Sequence, residues 1–347
     1  MEITGKITGI KYNVLLADKL EIVDISKFNI NNVRSSCIFQ DGKYSFAISK
    51  WVSPKRTRSY PYQRVYDTLT STKKITIIPI IKDEGIDGDR DYLQWDTVSL
   101  MSLLDVFVVF AYYNKAVKNL KYKNKITGFQ FNNKYVISKI KEIEQYHSSA
   151  LHWNLNELQN NLYNIVDKAK KCYEKIEKQT GVVLHNINGI NSFKAKISED
   201  VSTFIEFSRG KAKEAQAREI VTTQPKEKLS TLTKAKITIT NYLGGQYFFT
   251  IDEVLIKENV VELIESKHSK TANLPSISDI KDGLLKMILY SNLKDVEVNG
   301  IKMKSKAVLK LTSENNLNTT QSQNNLIQSL LTEAEENGFV IKIGDSK

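Results

Sequence analysis

The sequence predicts an α+β protein of more than one domain, and three observations carry that expectation. Short runs rich in β-branched and aromatic residues alternate with longer stretches of helical spacing. The five prolines (Pro54, Pro61, Pro79, Pro225 and Pro275) leave a proline-free interval from 80 to 224 in which long helices can form. At 347 residues and 41% hydrophobic content, the chain can bury a large core and exceeds the usual size of one domain. Three segments are expected: a mixed α/β domain over 1–125, a helical region over 126–225, and an α/β core over 226–347.

In the first segment, Ile7 to Leu16 and Tyr44 to Val52 read as short strands. Lys74 to Ile81, KITIIPII, reads as a buried strand. Trp95 to Leu104 has helical spacing, and Val106 to Tyr112 reads as another strand. The apolar run Val98 to Tyr113 is shorter than the roughly 20 residues a membrane span needs, and Asp105 interrupts it, so a buried helix followed by a strand is expected. In the middle segment, Val136, Ile140, Ile143 and Tyr146 recur at offsets of three and four, as do Leu155, Leu158, Leu162, Ile165 and Val166, then Ala169 and Tyr173. Helix is therefore expected over Lys134 to Lys178. Turn signals follow in Gly181 to Ser192, a further helix over Ser198 to Ile220, and a linker at Thr222 to Thr231.

The last third reads as a meander. Ala235 to Tyr242 is a strand, Gly244-Gly245 a turn, and Gln246 to Ile256 a second strand. Lys257-Glu258-Asn259 turns into a third strand, Val260 to His268. Asp279 to Tyr290 has helical spacing, with Ser278 or Asp279 as its cap. Lys304 to Leu311 is a fourth strand, Leu326 to Glu336 a helix ended by Gly338, and Phe339 to Ile343 a last strand.

Composition narrows the function classes. Lys and Arg total 50 against 39 Asp and Glu, a net charge of +11, which favours a polyanionic partner. Part of the excess is compositional, because the chain is rich in Lys, Asn and Ile. The two cysteines, Cys37 and Cys172, are far apart, which argues against a disulfide framework or a structural zinc site and suits a reducing compartment. The first residues lack a charged region followed by an apolar run, so a cytoplasmic location is expected. No GxxxxGK[ST] or GxGxxG phosphate loop occurs, and His147, His152, His185 and His268 form no HExxH pair.

One constellation carries chemistry. Side chains alternate along a strand, so Glu265 and Lys267 share a face, with Ser266 opposite. A hairpin turning at Lys257-Glu258-Asn259 would set Asp252 beside or diagonal to Glu265. Two carboxylates and an ammonium would then converge. Carboxylate oxygens suit Mg²⁺, which retains positions for water and a phosphate oxygen. The metal activates water and offsets charge on the leaving oxygen, while a lysine positions the attacking water. A Glu-x-Lys tripeptide alone means little in a Lys-rich chain. Here apolar neighbours surround it: Phe248, Phe249 and Ile251 before Asp252, and Val260, Val261, Leu263 and Ile264 before Glu265. Charges within core strands incur a desolvation cost and tend to have a function.

The run FFTIDEVLIKENVVELIESKHSK, followed by DIKDGLLKMILY, resembles the PD-(D/E)xK nuclease core, and in particular that of type II restriction endonucleases. The match covers about Ala235 to Leu311. It implies a mixed sheet flanked by helices and Mg²⁺-dependent hydrolysis of double-stranded DNA at a specific sequence. It also implies a homodimer and a cognate DNA methyltransferase as genetic partner. The family's first acidic residue maps to Asp252 and its E-x-K to Glu265-Ser266-Lys267. The resemblance makes Asp252, Glu265 and Lys267 catalytic, with Asp252, Glu265 and the Ser266 carbonyl facing the metal. Ile251 stands where the motif's name has proline, and Glu253 is the rival for the first carboxylate. Glu206 and Glu219 are candidates for the carboxylate that many members draw from a preceding helix. Inert members with a nuclease-like core, and repair or defence nucleases without sequence specificity, remain as alternatives.

Two further segments are candidates for contact. Lys50 to Arg64, KWVSPKRTRSYPYQR, holds five basic residues and no acidic ones; Lys55, Arg56, Arg58 and Arg64 could meet phosphates, and His268 beside the proposed site could do the same. Lys82 to Asp96, KDEGIDGDRDYLQWD, has six acidic residues. It starts like a calcium loop but has Tyr92 where glycine is required and Val98 where glutamate is required. An acidic structural or protein-contact loop is preferred there over a second metal centre.

Overall fold

The computed structural model describes residues 1–42, 44–55, 61–199, 201–220, 234–271, 273–314 and 320–345. The chain is of the mixed α and β class, as expected. It divides into two compact units, one of Lys19–Arg209 and one of Met1–Asp18 with Gly210–Lys347. The three expected segments thus become two units, and the first residues group with the C-terminal part. The expected linker Thr222 to Thr231 lies outside the described residues.

The chain opens with β1 (Glu2–Ile7). The unit Lys19–Arg209 then contains β2 (Ile22–Asp24), β3 (Ser36–Asp41), β4 (Tyr44–Lys50), α1 (Pro61–Tyr66), β5 (Lys74–Pro79), β6 (Ile81–Asp83) and β7 (Arg90–Tyr92). There follow α2 (Trp95–Leu103), β8 (Val106–Ala111), β9 (Tyr113–Lys118), β10 (Ile126–Phe131), α3 (Asn133–Glu144), α4 (Ala150–Asn160), α5 (Leu162–Thr180), α6 (Asn188–Glu199) and the first part of α7 (Val201–Ile220), whose residues from Gly210 on count with the other unit. Helix α6 starts inside the stretch expected to turn. Strands run in the order β2-β3-β4-β5-β8, parallel except between β3 and β4. All six residues of β8 are buried, which accounts for its unbroken apolar run. β8 is the last strand, and Asn154 of α4 meets its backbone: Oδ1 accepts from Val108 N at 2.7 Å and Nδ2 donates to Val106 O at 3.0 Å. A buried side-chain amide thereby satisfies groups that an edge strand would leave open.

The other unit continues with β11 (Ala235–Asn241), β12 (Gln246–Ile251), β13 (Glu253–Lys257), β14 (Val260–Ser269), α8 (Ile277–Ser291), β15 (Lys294–Val298), β16 (Ile301–Lys302), β17 (Lys304–Ser313), α9 (Gln321–Asn337) and β18 (Val340–Asp345). Two sheets result, ordered β12-β11-β1-β15-β16 and β13-β14-β17-β18. The expected second strand divides at Asp252: β12 pairs with β11, and β13 leaves to pair with β14. β14 and β17 run parallel through ten residue pairs and β17 and β18 through six, and α8 and α9 lie in the crossovers.

Two local expectations change. Helix α8 is capped by Ser276, whose hydroxyl accepts from Asp279 N, rather than by Ser278 or Asp279. Ile7 to Leu16 is not a strand beyond Ile7. Side chains, rather than a neighbouring strand, take its backbone N–H groups. Asn292 accepts from Lys11 N, Asn337 from Asn13 N, and fully buried Glu333 from Leu15 N and Leu16 N at 3.0 and 3.1 Å. Among the described residues no helix is long and apolar enough to cross a membrane.

Candidate active site

β13 and β14 form the hairpin expected at Lys257-Glu258-Asn259, where Glu258 adopts a left-handed φ of 53°. Their register starts with the pair Glu253–Ile264, and Asp252, the bend just before β13, lies at the open end of the hairpin beside Glu265-Ser266. The Asp252 carboxylate accepts the Ser266 N–H at 2.9 Å, and its other oxygen lies 3.9 Å from Lys234 Nζ. Asp252, Glu265 and Ser266 are all buried.

Alternation along β14 separates two polar groups. On one face, Glu265 Oε1 meets Lys267 Nζ at 2.9 Å and Glu265 Oε2 meets Lys286 Nζ of α8 at 2.8 Å. Asp282, one turn before Lys286, takes Lys267 Nζ at 3.3 Å. On the opposite face, Ser266 Oγ donates to Glu253 at 3.3 Å, and Lys310 of β17 binds both Glu253 oxygens at 2.8 and 3.0 Å. His268 belongs to that second face, buried and bonded through Nδ1 to Thr312 Oγ1 at 3.0 Å. Glu253 therefore serves the Lys310 side of the sheet, which favours Asp252 over it as the partner of Glu265.

Helix α8 comes close because of Gly283. A Cβ there would lie 2.7 Å from Leu309 Cδ1 and 3.4 Å from Lys267 Cε. Burial pushes the Glu265 carboxyl up, but the ammonium groups of Lys267 and Lys286 outweigh it and hold the carboxyl down at about 2. Burial likewise disfavours the Lys267 ammonium; Glu265 and Asp282 outweigh it and raise it above the ordinary lysine range. The cluster thus keeps Glu265 and Lys267 charged within the core, where either alone would be costly.

The donor set fits Mg²⁺. Asp252 and Glu265 supply hard oxygens, and Mg²⁺ is commonly held by one or two carboxylates while keeping several waters. Among the described residues no group of three or more His, Cys, Asp or Glu side chains gathers.

Lys286, Asp282 and Lys234 were not singled out from the sequence. The first two carried a signal: in DIKDGLLKMILY they stand four apart, on one face of a helix whose apolar stripe was already evident. Lys234 carried none. The other expected contacts are placed as follows. Lys55 pairs with buried Asp91. Arg64 is half-buried and donates to the Lys50 carbonyl at 2.8 Å, so burial lowers its pKa and its guanidinium is engaged within the protein. Arg56 and Arg58 lie outside the described residues. Glu206 is exposed on α7, and the side chain of Glu219 lies outside the described set. In the acidic stretch, Asp83 meets His185 at 2.7 Å, Glu84 meets Lys82 and Lys125, and Asp91 accepts from Ser53 at 2.8 Å. These carboxylates are held by protein donors, in keeping with a structural loop. Comparison with protein-family models, curated proteins and solved structures finds no match to this chain.

Proposed function

We propose that this protein is a Mg²⁺-dependent endonuclease that cuts double-stranded DNA at a specific sequence, in the manner of a type II restriction endonuclease. The observation that supports it most is the convergence of buried Glu265 and half-buried Lys267 on one face of β14, paired with each other and braced by α8, with Asp252 at the open end of the hairpin. Asp252, Glu265 and the Ser266 carbonyl would hold the metal. When bound, Mg²⁺ supplies an acidified water and a counter-charge for the phosphate. Lys267, whose ammonium Glu265 and Asp282 favour, would orient the attacking water by hydrogen bonding and offset charge on the phosphate. Asp282 aims Lys267, and Ser266 N–H fixes one oxygen of Asp252. A homodimer would present two such sites to the two strands of a palindrome. A cognate methyltransferase, modifying the same sequence, and a cytoplasmic location belong with this reading.

The test is direct. Purified protein with Mg²⁺ is expected to cut phage DNA into discrete bands. Glu265→Ala or Lys267→Ala should abolish cutting while sparing DNA binding in Ca²⁺. Smears would indicate a nuclease without sequence specificity, and binding without cleavage on any DNA an inert module.

A further inference from the structure

The β9–β10 hairpin concentrates charge and exposed apolar surface in a way its own fold does not use. No Asp or Glu occurs from Val106 to Lys141, and the hairpin carries Lys115, Lys118, Lys121, Lys123 and Lys125. The first four are exposed. Among the described residues they form no ion pair, whereas Lys125 is held by Glu84 at 3.1 Å. Leu120 at the tip is 102% exposed, and Val117 and Tyr122 are 57% and 55% exposed. Three large apolar side chains are thus exposed together among four lysines on one hairpin.

The tip is ordered by its own hydrogen bonds. Asn119 N donates to Lys125 O at 2.8 Å, and Asn119 Oδ1 accepts from Lys121 N and Tyr122 N at 2.8 and 3.2 Å. That pattern turns Leu120 and Tyr122 outward. The turn end is also braced, on the Asn124 side, by the acidic loop. Asp87 Oδ2 accepts from Asn124 N at 2.8 Å, Ile126 N donates to Glu84 O at 2.9 Å, and Gly85 approaches Asn124 O so closely that a Cβ there would lie 2.2 Å away. β9 also packs on α5. The hairpin is a stiff, basic two-stranded ribbon projecting an apolar tip.

We infer that this hairpin is a DNA-reading element: a β-ribbon laid in the major groove of duplex DNA, with Lys115, Lys118, Lys121 and Lys123 on phosphates and Leu120 and Tyr122 against base edges. A ribbon with six-residue strands is roughly 20 Å long, and the groove, about 12 Å wide, admits two strands. Thr127, paired with Val117, and Gln130, paired with Lys115, supply hydrogen-bonding groups on the exposed ribbon. Four lysines around a few apolar side chains fit a phosphate-lined groove better than a lipid surface, whose binding needs a larger apolar face.

The inference rests on DNA as the partner, and the experiment separates the two. Full-length protein is titrated against a duplex of about 30 base pairs in Ca²⁺, by fluorescence anisotropy, from about 50 to about 200 mM salt. Wild type should bind with a steep salt dependence. The combined Lys115→Ala, Lys118→Ala, Lys121→Ala, Lys123→Ala variant should lose roughly 3–4 units of that slope, at about 0.9 per phosphate contact. Leu120→Ser should weaken binding about 5- to 20-fold and leave the slope unchanged, as loss of an apolar contact does. Thermal midpoints report folding, and Lys121→Ala with Lys123→Ala, confined to the loop, keeps the test open if the fourfold variant misfolds. Wild-type binding that both lysine variants reproduce, in slope and affinity, overturns the hairpin assignment alone. Absence of wild-type binding at any salt overturns DNA as the partner. Binding to phosphatidylserine vesicles that the lysine variants lose while DNA binding persists would assign the hairpin to a membrane surface and overturn it too.

Discussion

Lys286→Met tests the electrostatic design of the candidate site. Glu265 is buried between two ammonium groups, Lys267 at 2.9 Å and Lys286 at 2.8 Å. At 2.8 Å and an effective dielectric of about 20, the Lys286–Glu265 attraction is roughly 6 kcal/mol before desolvation. Desolvation of the lysine offsets much of that, and Lys267 still compensates Glu265 in the variant. The net loss should therefore fall below the 3–5 kcal/mol typical of a buried charge left alone, at about 2 kcal/mol. For a unit of this size that lowers the thermal midpoint by about 4–8 °C in EDTA. A divalent cation on Glu265 supplies the missing positive charge. Ca²⁺ should accordingly raise the midpoint of Lys286→Met more than that of wild type, and bind the variant at least about fivefold more tightly, because no ammonium has to leave Glu265 first. Differential scanning fluorimetry with and without Ca²⁺, and calorimetric titration, measure both. Equal or weaker Ca²⁺ stabilisation of the variant would refute the reasoning, since Lys286 would then not compete with a metal for Glu265.

Three further outcomes follow from the same geometry. The Glu265 carboxyl is lowered to about 2 in the folded chain against roughly 4.3 when unfolded, so its ionisation stabilises the fold by about 3 kcal/mol above pH 5; that contribution fades as pH falls from about 4.5 towards 2. Urea midpoints of wild type should drop through this window, and those of Glu265→Gln should lack that component. Asp252→Asn keeps an acceptor for Ser266 N–H but loses the charge, so it should retain the fold while Ca²⁺ affinity falls about tenfold or more by calorimetry. Gly283→Ala gains roughly 1 kcal/mol of helix propensity but overpacks against Leu309 and the Lys267 stem, at about 1–3 kcal/mol; chemical denaturation should show a net loss of about 1 kcal/mol, and the displaced Lys267 should lower cleavage further.

What the sequence made legible, and what it hid, divides along a physical line. Period-two and 3.6-residue patterns are local, and they located β11, β14, α8, β17 and α9 to within a few residues. The Glu265–Lys267 pair was legible for the same reason, because alternation alone puts residues two apart on one face. Long-range pairing leaves no local mark. β1 lies between β11 and β15, pairing Ile3 with Ile237 and with Val298, and nothing in Met1 to Ile7 announces partners more than 200 residues away. The break at Asp252 was hidden similarly. Gln246 to Ile256 has one continuous β pattern, yet its halves serve different sheets.

That break bears directly on the site. A carboxylate in the middle of an unbroken buried strand would have its neighbours' backbone groups committed to the ladder on either side. At the junction between two sheets, Asp252 is outside both ladders and can take the Ser266 N–H through its side chain. The same junction makes Glu253 the first residue of β13, facing Ser266 Oγ and Lys310. The choice between adjacent carboxylates is therefore made by where one strand is handed from sheet to sheet. A one-residue shift of that junction would exchange their faces, and with them the residue placed beside Glu265.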